Sequence, residues 1–186
     1  MVRFARYLKC AVAAFALSLA ALGVGRADEA ELEALFEGLR NADPTAAEQI
    51  EARIYAIWSK SGSDSMDLLL ERGREALMEG DTKLAIEHFT ALVDHAPGFA
   101  EGFNARATAY FQAGQFGPSL DDIRRTLELN PRHFGAMSGL ALILEELGRP
   151  EDSLAAWREV EKLNPSQTGL REALQRLERR VEGQTL

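Results

Sequence analysis

Apolar positions along this chain return to the same pattern every 34 residues. Between residues 66 and 167 they fall three and four apart, the spacing of amphipathic helices, and glycine and proline interrupt them at fixed intervals. Gly80, Gly114 and Gly148 stand 34 apart, and Pro97, Pro131 and Pro165 follow them at a constant offset of 17. A glycine that closes one helix in the left-handed region, with a proline after the next, predicts two helices of about 14 residues in each unit. The units so marked are 66–99, 100–133 and 134–167, and a repeat of this length reads as a stack of helix-turn-helix pairs.

The flanks carry helical patterns too. Leu170, Leu174, Leu177 and Val181 form one apolar stripe, with Arg171, Glu172, Arg176 and Glu178 on the other faces. Segment 168–186 is therefore expected to supply a polar capping helix and a tail, since the last unit of a stack has an outward face to cover. Ahead of the units, Leu32, Leu35, Phe36 and Leu39 predict a helix over 29–41. Asp43-Pro44 opens a second, carrying Ile50, Ile54, Ile57 and Trp58, which the run Ser61-Gly62-Ser63 ends. Segment 28–65 reads as a helical hairpin plus linker, a degenerate first repeat stacked on 66–99. The alternative is an interaction arm tethered by the serine-glycine link.

Within the units, the fourth position holds Leu69, Phe103 and Met137, and the eighth holds Gly73, Ala107 and Ala141. The eleventh holds Ala76, Tyr110 and Leu144, the twentieth Ala85, Ser119 and Ser153, and the twenty-fourth Phe89, Ile123 and Trp157. Small residues at 8 and 20 allow close helix approach, and bulky ones fill the space around them. This pattern resembles the tetratricopeptide repeat (TPR) family over residues 66–167, with departures at Arg72 and Arg106 in position 7 and at Leu92, Thr126 and Val160 in position 27. The resemblance implies an all-α, right-handed α-solenoid of three repeats, with the N-terminal hairpin and the C-terminal cap at its ends.

The first 27 residues read as an address. Arg3, Arg6 and Lys9 precede an acid-free apolar run, Cys10 to Gly25, that ends in Gly25-Arg26-Ala27. This order predicts a secretory signal peptide cleaved after Ala27, and a helix of this run, about 24 Å long, is short for a membrane span. The expected location is the periplasm, with an uncleaved N-terminal anchor facing it as the alternative. Removing 1–27 takes four basic residues and no acidic ones from a chain of 21 basic and 29 acidic, which leaves −12 on 159 residues. That sign argues against nucleic acid or an anionic membrane surface as a partner. The remainder also holds no cysteine, which excludes thiol catalysis and thiolate metal sites.

No phosphate-binding loop, nucleophile elbow or His-Glu-x-x-His stands in the sequence. His88, His95 and His133 read as ordinary residues, Trp157 as core. Neither an enzyme nor a cofactor or metal is expected. In the TPR family the first helix of each unit lines a concave wall, at positions 2, 5, 9, 12 and 13. Carried over, these are Asp67, Leu70, Arg74, Leu77 and Met78, then Glu101, Asn104, Thr108, Phe111 and Gln112, then Gly135, Ser138, Leu142, Glu145 and Glu146. The resemblance thus implies a groove for a protein or peptide partner on Leu70, Arg74, Met78, Asn104, Thr108, Phe111, Gln112, Ser138 and Leu142. Arg74 and Asn104 are the expected hydrogen-bond donors to it. Family members that clamp an acidic chaperone C-terminus place lysines, an arginine and asparagines on this wall; here Leu70, Gly135 and Gly139 occupy most of those places, which argues against a clamp. The reading is an exported adaptor or scaffold in an envelope complex. The alternative is a module that oligomerises through the 29–60 hairpin.

Overall fold

The computed structural model describes residues 28–184; the predicted signal segment and its cleavage site lie outside them. Helices account for nearly all of the described chain, and no strand forms among these residues. In order they are α1 (28–41), α2 (Pro44–Trp58), α3 (Asp64–Met78), α4 (Thr82–His95), α5 (Ala100–Gln112), α6 (Phe116–Leu129), α7 (Phe134–Glu146), α8 (Pro150–Leu163) and α9 (Leu170–Gln184). The pairs α3–α4, α5–α6 and α7–α8 are the three predicted units, and α9 packs on α8 as the cap.

The punctuation works as its chemistry requires. Gly80, Gly114 and Gly148 adopt φ of +81°, +70° and +68°, and the residue after each donates its N–H back across the helix end. Asp81 N–H reaches Ala76 O at 2.9 Å, Gln115 reaches Tyr110 O at 2.8 Å and Arg149 reaches Leu144 O at 2.9 Å. This glycine-closed turn satisfies carbonyls that the helix end leaves without partners, and a side chain at the glycine would be strained. Asp43 caps α2, its Oδ1 accepting from the Thr45 and Ala46 amides at 3.0 Å each. Asp81 caps α4 through Leu84 N–H at 2.9 Å.

Each unit closes around its small residues. Ser119 Oγ donates to Ala107 O at 2.7 Å and Ser153 Oγ to Ala141 O at 2.8 Å, so position 20 of the second helix bonds to position 8 of the first. Arg106, a departure from the family pattern, forks onto Asp122 of α6 at 2.7 and 2.8 Å and lies over the rings of Phe103 and Tyr110. That charge-assisted pair raises the guanidinium's affinity for its proton and ties the two helices of the middle unit together. Leu92, Thr126 and Val160, the departures at position 27, are fully buried, whereas Arg72 is exposed.

The hairpin differs from expectation. It does not extend the stack beyond 66–99. Phe36, Leu39, Ala47 and Ile54 share one core with Phe134 of α7, with Leu154, Trp157 and Val160 of α8, and with Leu170 and Leu177 of α9. The core of the first unit, around Leu70, Phe89 and Leu92, contains none of the hairpin's residues. The last unit and the cap supply the apolar partners: Phe134, Leu154, Trp157, Val160, Leu170 and Leu177 are buried in one cluster with the hairpin's stripe. The chain therefore folds back, and the turn after α8 receives it: Ser166 Oγ donates to Ala42 O at 2.8 Å and Asn164 Nδ2 to Glu51 Oε1 at 2.8 Å.

The tightest contact within a unit lies at Gly73, where an added Cβ would come within 2.6 Å of Phe89 Cδ1 and Cζ. An aromatic ring packed in a core yields poorly, so Gly73→Ala should lower unfolding free energy by about 1–3 kcal/mol, as overpacking does. Denaturant titration checks this, and a midpoint equal to that of the parent would show that Phe89 moves aside.

Candidate protein-binding groove

The first helices of the three units, α3, α5 and α7, form one wall, and a buried carboxylate sits at its centre. Glu101, in the first turn of α5, is 4% exposed. A carboxylate so placed needs charged or hydrogen-bonding partners. Arg74 Nη2 of α3 donates to Glu101 Oε1 at 2.5 Å, Asn104 Nδ2 to Oε2 at 3.2 Å, and His133 Nε2 lies 2.9 Å from Oε2. His133 is fully buried immediately before α7, where its Nδ1 accepts the Ala136 N–H at 3.1 Å. With Nδ1 accepting, the ring proton sits on Nε2 and is donated to Glu101. The carboxylate thus ties together helices from all three units.

The end of α2 seats on the same point. Trp58 stacks on the His133 imidazole with centroids 4.4 Å apart, and Tyr55 meets Phe134 edge-on at 5.3 Å. Ser59 Oγ accepts from Arg74 Nη2 at 3.1 Å. Gly135 is required here, since any Cβ at that position would collide with the Tyr55 hydroxyl. On the α1 side, Arg132 lies over the Phe36 ring at 4.5 Å and pairs with Glu33 at 2.7 Å. Burial pushes the Tyr55 phenol pKa well above its ordinary value; the Glu101 and Glu51 carboxylates add to the rise and Arg74 opposes it.

These contacts revise the sequence-based expectation. His133 is the hub of the wall rather than an ordinary turn residue. Arg74 and Asn104, expected to be free donors, are bonded inside the protein. The nine expected groove residues divide between two concavities on either side of the Arg74–Glu101–Asn104 bridge. Leu70, Arg74 and Met78 line a shallow one of about 380 Å³ together with Ser59, Asp67, Glu71 and Glu75. Leu70 is buried there, whereas Met78 is 80% exposed. Asn104, Thr108, Phe111, Gln112, Ser138 and Leu142 line the other, a recess of about 320 Å³ between α5 and α7 whose floor is Ala107, Ile123, Ala136 and Ile143. Glu145 at the end of the wall is held by Arg176 of the cap at 2.9 Å, and Trp157 is core as expected.

Sequence reasoning missed Tyr55, Trp58 and Ser59 as parts of this wall, and the helical pattern of α2 held no sign of which surface it would meet. Glu101 was visible as a wall position but not as a buried one. Among the described residues no group of histidine and carboxylate side chains is arranged to hold a metal ion, and no helix is long and apolar enough to cross a membrane.

The sequence matches the tetratricopeptide repeat model over residues 70–117 and 104–168. It is 33% identical to a TPR repeat-containing protein of Rhizobium etli over 82% of this chain and 75% of that one. It is 25% identical to small glutamine-rich tetratricopeptide repeat-containing protein 2 of Saccharomyces cerevisiae over 61% of this chain, but only a third of that protein's length. Among solved structures, the Sgt2 TPR domain from Aspergillus fumigatus superposes with a TM-score of 0.62 at 21% identity, covering 66% of this chain and 83% of that one. The first TPR of Spaghetti (RPAP3), bound to the HSP90 peptide SRMEEVD, gives 0.61 at 22% identity, over 63% and 93%. At these identities the likeness is one of fold.

Two outcomes follow from the wall. Arg74→Ala removes the cation from a buried carboxylate while Trp58 and His133 remain. Because Arg74 is itself partly in solvent, the loss should be about 2 kcal/mol, below the 3–5 of a fully buried pair, and chemical denaturation measures it. The raised Tyr55 pKa has a sign as well. The unfolded phenol ionises near its ordinary value of 10.0 and the folded one does not, so the stabilisation it reflects is whole below pH 10 and lost as pH rises beyond that. Melting temperature should fall above pH 10, and fall less steeply in Tyr55→Phe; parallel curves would show that other groups govern alkaline stability.

Proposed function

The chain belongs to the tetratricopeptide repeat family, and on that premise we propose that it is an exported, non-enzymatic adaptor that holds a protein partner on its concave wall within an envelope complex. Tetratricopeptide repeats are modules of protein–protein interaction, and the observation that supports a binding role for this wall is the open recess between α5 and α7. It is lined by wall positions, it is not filled by the hairpin, and Phe111 and Leu142 stand at its mouth, Leu142 being 41% exposed. Exposed apolar side chains around a concavity mark a surface that gains by being covered. Export rests on the order of basic, apolar and small residues over 1–27. Self-assembly through the hairpin has less support, because Phe36, Leu39 and Ile54 are spent inside the chain's own core.

Expression of the full chain in a Gram-negative host, followed by fractionation and crosslinked affinity capture, tests both parts. The proposal expects a periplasmic protein beginning at Asp28, and a captured partner that is lost when Phe111→Glu and Leu142→Glu are introduced together without loss of helical signal. Retention in the cytoplasm would end the export reading, and capture indifferent to the double substitution would move the binding surface elsewhere.

A further inference from the structure

Five of the recess-lining residues are polar by type, namely Asn104, Thr108, Gln112, Ser119 and Ser138; yet almost no donor is left for a ligand. Ser119 Oγ donates to Ala107 O at 2.7 Å, Ser138 Oγ to Phe134 O at 2.8 Å and Thr108 Oγ1 to Asn104 O at 3.0 Å. Each hydroxyl has one proton, and each has spent it on its own helix pair. Asn104 Nδ2 is turned to Glu101, and Ser138 also accepts from Gln167 Nε2 at 3.0 Å. Gln112, exposed at the rim, keeps an amide free for solvent or a ligand backbone. None of the lining residues is charged. A carboxylate entering the recess would give up water and find only the Gln112 amide at the rim as a free donor, too little to compensate a charged group. An apolar side chain loses nothing, and it gains Phe111, Ile123, Leu142 and Ile143 as contacts.

The surroundings set the charge of what enters. On one side, past the Arg74–Glu101–Asn104 bridge, Asp67, Glu71 and Glu75 lie four apart along α3, with Glu71 and Glu75 exposed and Arg74 already held by Glu101. On the other side, Glu146 is exposed at the end of α7. A segment that crosses this wall with its anchor in the recess passes unpaired carboxylates, while the cations beside them, Arg74 and Arg176, are already paired with Glu101 and Glu145, so charge complementarity favours lysine and arginine on its flanks.

From these observations, and resting on the adaptor reading above, we infer that the recess receives one large uncharged side chain, aromatic or aliphatic, from a partner segment whose flanking residues are basic.

The probe is a synthetic heptapeptide with tryptophan at its centre, an alanine on each side and two lysines at each end, titrated against the chain by fluorescence anisotropy. Replacing its tryptophan by alanine should weaken binding about tenfold or more, the worth of burying a large apolar side chain. Replacing its lysines by glutamate should abolish binding, and added salt should weaken the lysine form. On the protein side, Leu142→Arg changes an exposed residue and should leave helicity intact while costing about tenfold or more in affinity. Glu71→Lys with Glu75→Lys should weaken binding and reduce its salt dependence. Equal affinities for the tryptophan and alanine peptides, or for the parent and Leu142→Arg proteins, would overturn the assignment of the recess; tighter binding of the glutamate peptide would overturn the assignment of charge. A partner captured through the concave wall that nevertheless carries an acidic anchor would leave the adaptor reading standing and remove this one.

Discussion

A carboxylate that water hardly reaches must be met by donors, and Glu101 draws them from three places: Arg74 on α3, Asn104 on its own helix and His133 ahead of α7. Because Arg74 lies on the first helix of the first unit and His133 caps the first helix of the third, satisfying this one group fixes how α3, α5 and α7 stand along the wall. The same imidazole then offers its face to Trp58, and Arg74 offers a second hydrogen bond to Ser59. The end of α2 is thereby placed. A buried ion pair is weak evidence for net stabilisation, since removing charges from water offsets much of their attraction. The larger contribution comes from Phe36, Leu39 and Ile54, each buried to 2% exposure or less and each worth about 1.5–3 kcal/mol in transfer free energy. Apolar burial keeps the hairpin on the protein, and the polar network decides where on the wall its last turn lies.

That placement changes what the wall can do. A solenoid of three helix pairs has a concave face along its whole length, and here the start of α7 is covered by the chain's own Tyr55 and Trp58. The donors that a groove of this family is expected to present, Arg74 and Asn104, serve the fold. What remains open is divided by the Glu101 bridge into an acidic shallow side and a neutral recess, and the recess has consumed its own hydroxyl protons. Its chemistry follows from hydrogen bonds made during folding and not from the residue types that line it.

Much of this architecture was legible from residue positions alone. Gly80, Gly114 and Gly148 announced the turns because the left-handed φ they adopt is a local property, and Gly73, Ala107 and Ala141 announced close approach because packing at position 8 depends on its neighbours within one unit. Both helices of the hairpin were visible for the same reason. Their docking was not. An amphipathic stripe such as Leu32, Leu35, Phe36 and Leu39 states that a face is buried without stating against what, and nothing in its spacing distinguishes the first unit from the last. His133 was illegible for a related reason: only the approach of Glu101, 32 residues away, distinguishes it from any histidine in a turn. The nine residues expected to form a groove do line concavities on the wall, yet Arg74 and Asn104 were read as free because hydrogen bonds between side chains leave no trace in sequence spacing.

Native-state hydrogen exchange across α2 tests most directly whether the hairpin is part of the folded wall. If Trp58 on His133 and the shared apolar core hold it there, the amides of α2 from Ile50 to Trp58 will exchange as slowly as those of α7 and α8, and will lose protection together with them as denaturant is added. Fast exchange in α2 while α7 and α8 stay protected would show a hairpin detached from the wall, with the concave face open along its full length.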